Sequence, residues 1–210
     1  MTPVWAVVLA GGGGTRFDGP KQYADLGGRT LLDRVLETAA AACDGVVAVL
    51  PDPATAPPGA GVRVAGGATR AESVRAGLVA VPAAAGIVVV ADAAHPLATP
   101  ELYRRVVAAV RDGADAAIPG LPLTEAVATV EPGGWTGTTV PAAGRVLVQT
   151  PQAFRAAVLR RAHASRADAV EDSSLVAALG GKVRVVPGDP VNLHVTTPAE
   201  LELGRRLVAG

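Results

Sequence analysis

At 210 residues, half of them hydrophobic, the chain is long enough to bury one well-covered core. Nineteen basic residues balance nineteen acidic ones, so no overall field directs it to nucleic acid or an anionic membrane, and a bound anion must be held by local groups. Cys43 is the only cysteine, which excludes an intrachain disulfide framework and a thiolate metal cluster and fits the reducing cytoplasm.

In chain order, the start runs into Val4-Trp5-Ala6-Val7-Val8-Leu9 without a cleavable signal pattern, and no apolar run approaches the roughly 18 residues of a membrane span. The expectation is a soluble protein. Short β-branched runs predict strands at Trp5–Leu9, Val46–Leu50, Val62–Ala65, Ile87–Ala91, Ala116–Ile118 and Val183–Val186. Apolar residues at helical spacing predict helices over Leu31–Ala42, Ala71–Val81, Leu102–Arg111, Ala153–Ala164 and Ala199–Val208. Thr69-x-x-Glu72 has the pattern of a capping box, and Thr99-Pro100 and Thr197-Pro198 each place a cap before a proline at the first helical position. The alternation predicts one α/β domain over residues 1–210, with a mostly parallel sheet covered on both faces. Pro51–Gly61 reads as a surface loop. Leu123–Val148, with β-like pieces around Glu131-Pro132-Gly133-Gly134 and Trp135, reads as a protruding β-arm that packs either on its own sheet or on a two-fold partner.

The stretch Leu9 to Gln22, LAGGGGTRFDGPKQ, follows the first strand. Glycines at 11 to 14 let the backbone turn tightly and bring several N–H groups to one phosphate, with Arg16 and Lys21 near enough to address the same oxygens. Neither G-x-x-x-x-G-K-[ST] nor G-x-G-x-x-G is present: the lysine follows Pro20, and positions 16 and 17 are Arg16 and Phe17. A plain glycine turn with incidental charges is the alternative.

This stretch resembles the L-A-G-G-x-G-T-R-F-x-x-P-K-Q signature of nucleotidyltransferases that join a nucleoside triphosphate to a phosphorylated sugar or polyol. Gly66-Gly67-Ala68-Thr69-Arg70-Ala71-Glu72-Ser73-Val74, Asp92-Ala93-Ala94, Gln149-Thr150-Pro151-Gln152, Glu171-Asp172-Ser173-Ser174-Leu175, Gly188-Asp189-Pro190 and Val195-Thr196-Thr197-Pro198 follow in order. Together they are similar to the cytidylyltransferases that make 4-diphosphocytidyl-2-C-methyl-erythritol in the non-mevalonate isoprenoid pathway. The resemblance implies a three-layer Rossmann-like nucleotidyltransferase fold and a homodimer joined through the β-arm.

It also implies roles. Arg16 and Lys21 would clamp the triphosphate, and Asp92 would carry Mg²⁺, with Asp189 a second metal candidate. Ala10, Gly11, Gly12, Gly66, Gly67, Arg70, Ser73 and Ala93 would line the nucleotide. Attack of a phosphate monoester on the α-phosphorus of CTP loads negative charge on the equatorial oxygens and the departing pyrophosphate, so fixed cations and a metal supply most of the catalysis.

The acceptor side departs from the family pattern. His95 stands where D-A-A-R-P has arginine, and His194 where N-[IL]-K-[VI]-T has lysine. Ala126 replaces a threonine, and the arm's usual arginine falls at Ala142, with Arg145 nearby. A histidine with an ordinary pKa near 6.5 is mostly neutral at pH 7, and each lost charge-assisted bond to phosphate is worth about 1.5–3 kcal/mol. Three readings stay open: the family's acceptor held by His95, Arg145, Thr150 and His194; another acceptor or nucleotide; or a nucleotide-binding protein without turnover. Among smaller features, His163 reads as a surface residue and Glu171-Asp172 as a cap for the helix that follows.

Overall fold

In the computed structural model, residues 2–11, 17, 19–55, 57, 61–165 and 169–209 are described. Strands β1 (Val4–Leu9), β2 (Gly45–Leu50), β3 (Val62–Ala65), β4 (Ile87–Asp92), β5 (Ala116–Pro122), β6 (Val127–Val130), β7 (Thr136–Val140), β8 (Val146–Val148), β9 (Gln152–Arg155) and β10 (Val183–Pro187) alternate with helices α1 (Leu31–Ala42), α2 (Arg70–Ala80), α3 (Pro100–Arg111), α4 (Ala156–Ala164), α5 (Asp172–Ala178) and α6 (Pro198–Ala209). The main sheet has the order β10-β5-β9-β4-β1-β2-β3, with β8 added along β5. Neighbours β1–β2, β2–β3, β1–β4 and β5–β10 are parallel, while β9 runs antiparallel between β4 and β5.

The run Ile87–Ala91 is apolar throughout because both sheet faces are covered. One face packs Val8, Val89 and Ala91 against Leu32, Val35, Leu102 and Val106 of α1 and α3. The other packs Val7, Val49 and Val90 in one cluster with Val74 and Leu78 of α2 and Leu159 of α4. Helix starts follow the caps expected of them. Thr69 Oγ1 accepts from the Glu72 amide while Glu72 Oε2 accepts from the Thr69 amide, and Thr99 Oγ1 accepts from the Leu102 amide.

One expectation is corrected. The predicted helix Ala153–Ala164 begins only at Ala156; Gln152–Arg155 is a strand. Ala153 and Phe154 are fully buried and pair with β4 on one side and β5 on the other, so sheet formation overrides local helical spacing. Within the arm, β8 joins the main sheet, whereas β6 and β7 form a separate two-stranded ribbon with Val130 and Trp135 exposed.

Candidate active site

The strand order reverses direction between β1 and β4: the chain proceeds outward from β1 through β2 to β3, then returns to β4 on β1's other flank. An open α/β sheet binds its ligand outside the carboxyl ends at such a switch point. Leu9 and Asp92, the last residues of β1 and β4, are register partners, and both line a cavity of about 500 Å³. The Ala93 amide donates to the Leu9 carbonyl and the Ala10 amide to Val49, which holds the strand ends together as the floor.

One wall is the N-terminus of α2. Gly67, Thr69, Arg70 and Ser73 line it. A Cβ at Gly67 would overlap the Glu72 side chain, so glycine there is what lets the chain pass under the capping box. Ser73 Oγ accepts from the Gly67 amide and donates to the Thr69 carbonyl, while the Gly66 amide donates to Leu50. Gly66 therefore supports the wall without being part of it. The opposite side carries Lys21, on a single 3₁₀ turn, and His194. Lys21 Nζ donates to the Val195 carbonyl at 3.0 Å.

Charge at the site is organised around Arg70. Its Nη1 donates to Asp172 Oδ2 at 2.5 Å, and its Nη2 lies 3.7 Å from Asp92 Oδ2. Burial works against the guanidinium charge, but Asp92 and Asp172 outweigh it and hold Arg70 firmly protonated. Burial pushes the Asp92 carboxyl above its usual range, opposed by Arg70, His194 and Lys21. Burial would also raise Asp172, but donors from His163 and Arg70 win and hold it below the ordinary value. Glu171, at the rim, is raised by burial against a hydrogen bond from Gln152.

The structure brings together Ala10, Gly11, Lys21, Gly67, Arg70, Ser73, Asp92, Ala93 and His194. Gly12 and Arg16 lie outside the described residues. His95 and Thr150 are buried behind the wall: Thr150 Oγ1 lies 3.1 Å from His95 Nδ1 and accepts from the Asp92 amide, so this pair braces the end of β4. The His95 ring stacks on His194, and burial together with the His194 and Lys21 charges lowers its pKa to about 3. His95 is neutral here.

Two candidates are not brought to the cavity. Arg145 Nη1 donates to the carbonyls of Pro141 and Ala143 in its own turn. Asp189 Oδ1 accepts from the Val191 amide, and its backbone is tied to the Gln149 side chain. Two smaller expectations are corrected as well. His163 is buried, with Nε2 2.8 Å from Asp172 Oδ1. Glu171 makes no side-chain cap bond, and the Asp172 carboxylate is engaged by Arg70 and His163 instead. Gln22, buried in the cavity wall beside Lys21, and Val170 at the rim carried no signal beyond the motifs they adjoin.

A divalent cation fits Asp92. Mg²⁺ is commonly held by one or two carboxylates plus substrate phosphates rather than by an all-protein cage. Among the described residues no group of three or more His, Cys, Asp or Glu is arranged to hold a metal; Asp92 at the end of β4 and Glu171 at the rim are the carboxylates that line the cavity. No described helix is long and apolar enough to cross a membrane.

Comparison with known proteins agrees with this geometry. Residues 4–209 match the family described as IspD, 2-C-methyl-D-erythritol 4-phosphate cytidylyltransferase. The 2-C-methyl-D-erythritol 4-phosphate cytidylyltransferase of Rhodococcus jostii (strain RHA1) is 44% identical over 218 residues, covering 98% of this chain and 95% of the relative. That of Rhodococcus opacus (strain B4) shows the same identity and coverage. The crystal structure of the enzyme from Thermus thermophilus superposes with a TM-score of 0.85 at 35% identity, covering 97% of this chain and 98% of that one. The chain belongs to the 2-C-methyl-D-erythritol 4-phosphate cytidylyltransferase family.

Proposed function

We propose that the chain transfers CMP from CTP to 2-C-methyl-D-erythritol 4-phosphate, releasing pyrophosphate, in isoprenoid biosynthesis. The observation that carries this is the meeting of Lys21 and Asp92, from separate motifs of the series, in one cavity at the sheet's switch point in a chain of this family.

A phosphate oxygen of the acceptor attacks the α-phosphorus of CTP, forming a new O–P bond as the bond to the β-phosphate oxygen breaks and pyrophosphate leaves. Lys21 offers a positive charge to the α-phosphate oxygens as negative charge grows there, an effect a water-poor site strengthens. Asp92 would hold Mg²⁺, which when bound neutralises charge on the triphosphate and leaving group. Gly67 and Ser73, whose Oγ is bonded to the Gly67 amide and the Thr69 carbonyl, shape the wall beside the nucleoside, and the positive end of the α2 dipole suits a nearby anion. Arg16 and Gly12 complete the triphosphate cradle in this reading.

On the acceptor side, His194 faces the cavity and His95 backs it, both neutral-capable donors where the family pattern has fixed cations. The chain works as one nucleotidyltransferase domain, in a cytoplasmic homodimer whose β-arm, with exposed Val130 and Trp135, packs on a second copy. In that assembly Arg145 would reach an acceptor phosphate only by leaving the Pro141 and Ala143 carbonyls it now bonds. His194 in the cavity lining, where the family pattern has lysine, also favours a second reading, a related polyol phosphate as acceptor.

Purified protein incubated with CTP, Mg²⁺ and a panel of phosphorylated polyols, 2-C-methyl-D-erythritol 4-phosphate first, is expected to release pyrophosphate with that acceptor. CTP binding without release for any acceptor would overturn the enzymatic reading.

A further inference from the structure

Arg70 is held by two carboxylates on unequal terms. Its Nη1 makes a short bond to Asp172, while Nη2, 3.7 Å from Asp92, has no hydrogen-bond partner among the described residues. Asp172 therefore sets the plane of the guanidinium, and the looser contact leaves Asp92 free to address a ligand. Asp172 is in turn fixed from its other side: Oδ1 sits 2.8 Å from His163 Nε2, with both side chains 2% exposed. A carboxylate oxygen only accepts, so Nε2 carries the proton and donates. Among the described residues His163 Nδ1 is buried without a partner, so the bond to Asp172 is the ring's one hydrogen bond within them.

We propose that His163 is a positioning residue for the nucleotide: through Asp172 it holds Arg70 in the cavity wall, with one Nη on Asp172 and the other turned towards Asp92. The inference rests on the reading of this cavity as the CTP site. Without a donor on Oδ1, the Asp172 carboxylate is free to turn and draw both Nη groups of Arg70 to itself, because bidentate pairing is the stronger arrangement for that pair. That turn moves Arg70 away from the cavity wall. His163 lies at the last turn of α4, Asp172 at the first of α5 and Arg70 at the first of α2, so one hydrogen-bonded chain joins three helix ends, and the looser ion pair of Arg70 with Asp92 extends it to the carboxyl end of β4.

The test compares His163→Leu, which removes the donor at similar volume, with His163→Gln, which keeps one at the position of Nε2. His163→Leu is expected to weaken CTP binding in calorimetry, and to raise the KM for CTP, by about tenfold, the usual size of losing an outer partner of a charged ligand group. The KM for the acceptor should move less than about twofold, and His163→Gln should recover most of the loss. In an Arg70→Ala background, His163→Leu should have no further effect, since residues acting through one group are non-additive. Leu159→Ala, a cavity in the same helix, controls for lost stability and should lower Tm with CTP affinity unchanged. Unchanged CTP affinity in His163→Leu, additivity with Arg70→Ala, or an equal shift in Leu159→Ala would each overturn the proposal. Failure of the unaltered chain to bind CTP would instead remove the nucleotide reading and this inference with it.

Discussion

The rings of His95 and His194 stack face to face, with centroids 4.6 Å apart and planes 2° from parallel. Two imidazolium ions would repel at that separation, so the pair favours at most one charge. His95, buried and bonded to Thr150, is the neutral member, and His194 lines the cavity.

A pH effect on stability follows. His95 takes a proton near pH 6.5 in the unfolded chain but only near 3 in the folded one. Its folded pKa is depressed, so the unfolded state binds more protons in between, and stability falls as pH drops from about 6.5 towards 3. The contribution is on the order of 4 kcal/mol across that window. Urea midpoints of wild type and His95→Gln measured from pH 7 to 4 should converge as pH falls, and parallel curves would contradict it.

His194→Lys places a fixed cation in the acceptor wall. If a phosphate sits there, the acceptor KM should fall by about tenfold or more, the equivalent of one charge-assisted hydrogen bond. The KM for CTP should change little. Steady-state pyrophosphate release with each substrate varied separately decides this.

Lys21→Ala removes a charge from the cavity and the bond to the Val195 carbonyl. Turnover should drop by about 10²–10³-fold, the usual effect of removing one group that stabilises transition-state charge. Tm should shift by only a few degrees. A kcat within threefold of wild type would remove Lys21 from the chemistry.

Asp92→Asn keeps shape but loses the charge that suits Mg²⁺. Titrating Mg²⁺ in the pyrophosphate assay should show a higher half-saturating concentration and a lower plateau. The lost carboxylate also frees Arg70 to lean on Asp172 alone, so the Asp92→Asn protein should remain folded.

Replacing β6 and β7 with a short glycine linker, while keeping β8 on β5, leaves the main sheet intact. Sedimentation velocity should then report a dimer for the full chain and a monomer for the shortened one. Equal sedimentation behaviour, corrected for mass, would remove the arm from assembly.

Local chemistry accounts for what was legible in the sequence. β-branched runs bounded by glycine and proline placed the parallel strands within a residue or two at most ends, and β5 ran on four residues further, to Pro122. The capping box at Thr69 and Glu72, visible from spacing of three, formed as read. Motifs at the strand ends carried most of the site because a sheet delivers its carboxyl ends to one edge, and Lys21, Arg70 and Asp92 meet there. Ala153–Arg155, expected as the start of a helix, suits one by local spacing, and only pairing with β4 and β5 makes it part of a strand. Likewise Arg145 and Asp189 lie near the motifs in sequence, yet their side chains are engaged by neighbouring backbone.

By itself the sequence determined the class of ligand and the strands that present it, since glycine turns, caps and β-runs are set by interactions a few residues apart. The tertiary structure alone decided the charge network. Arg70 and Asp172 are 102 residues apart, and His163, expected on the surface beside Arg160 and Arg161, is buried because α4 and α5 close over it. Desolvation and long-range pairing set which of these groups are charged, and neither is encoded in any one stretch of chain.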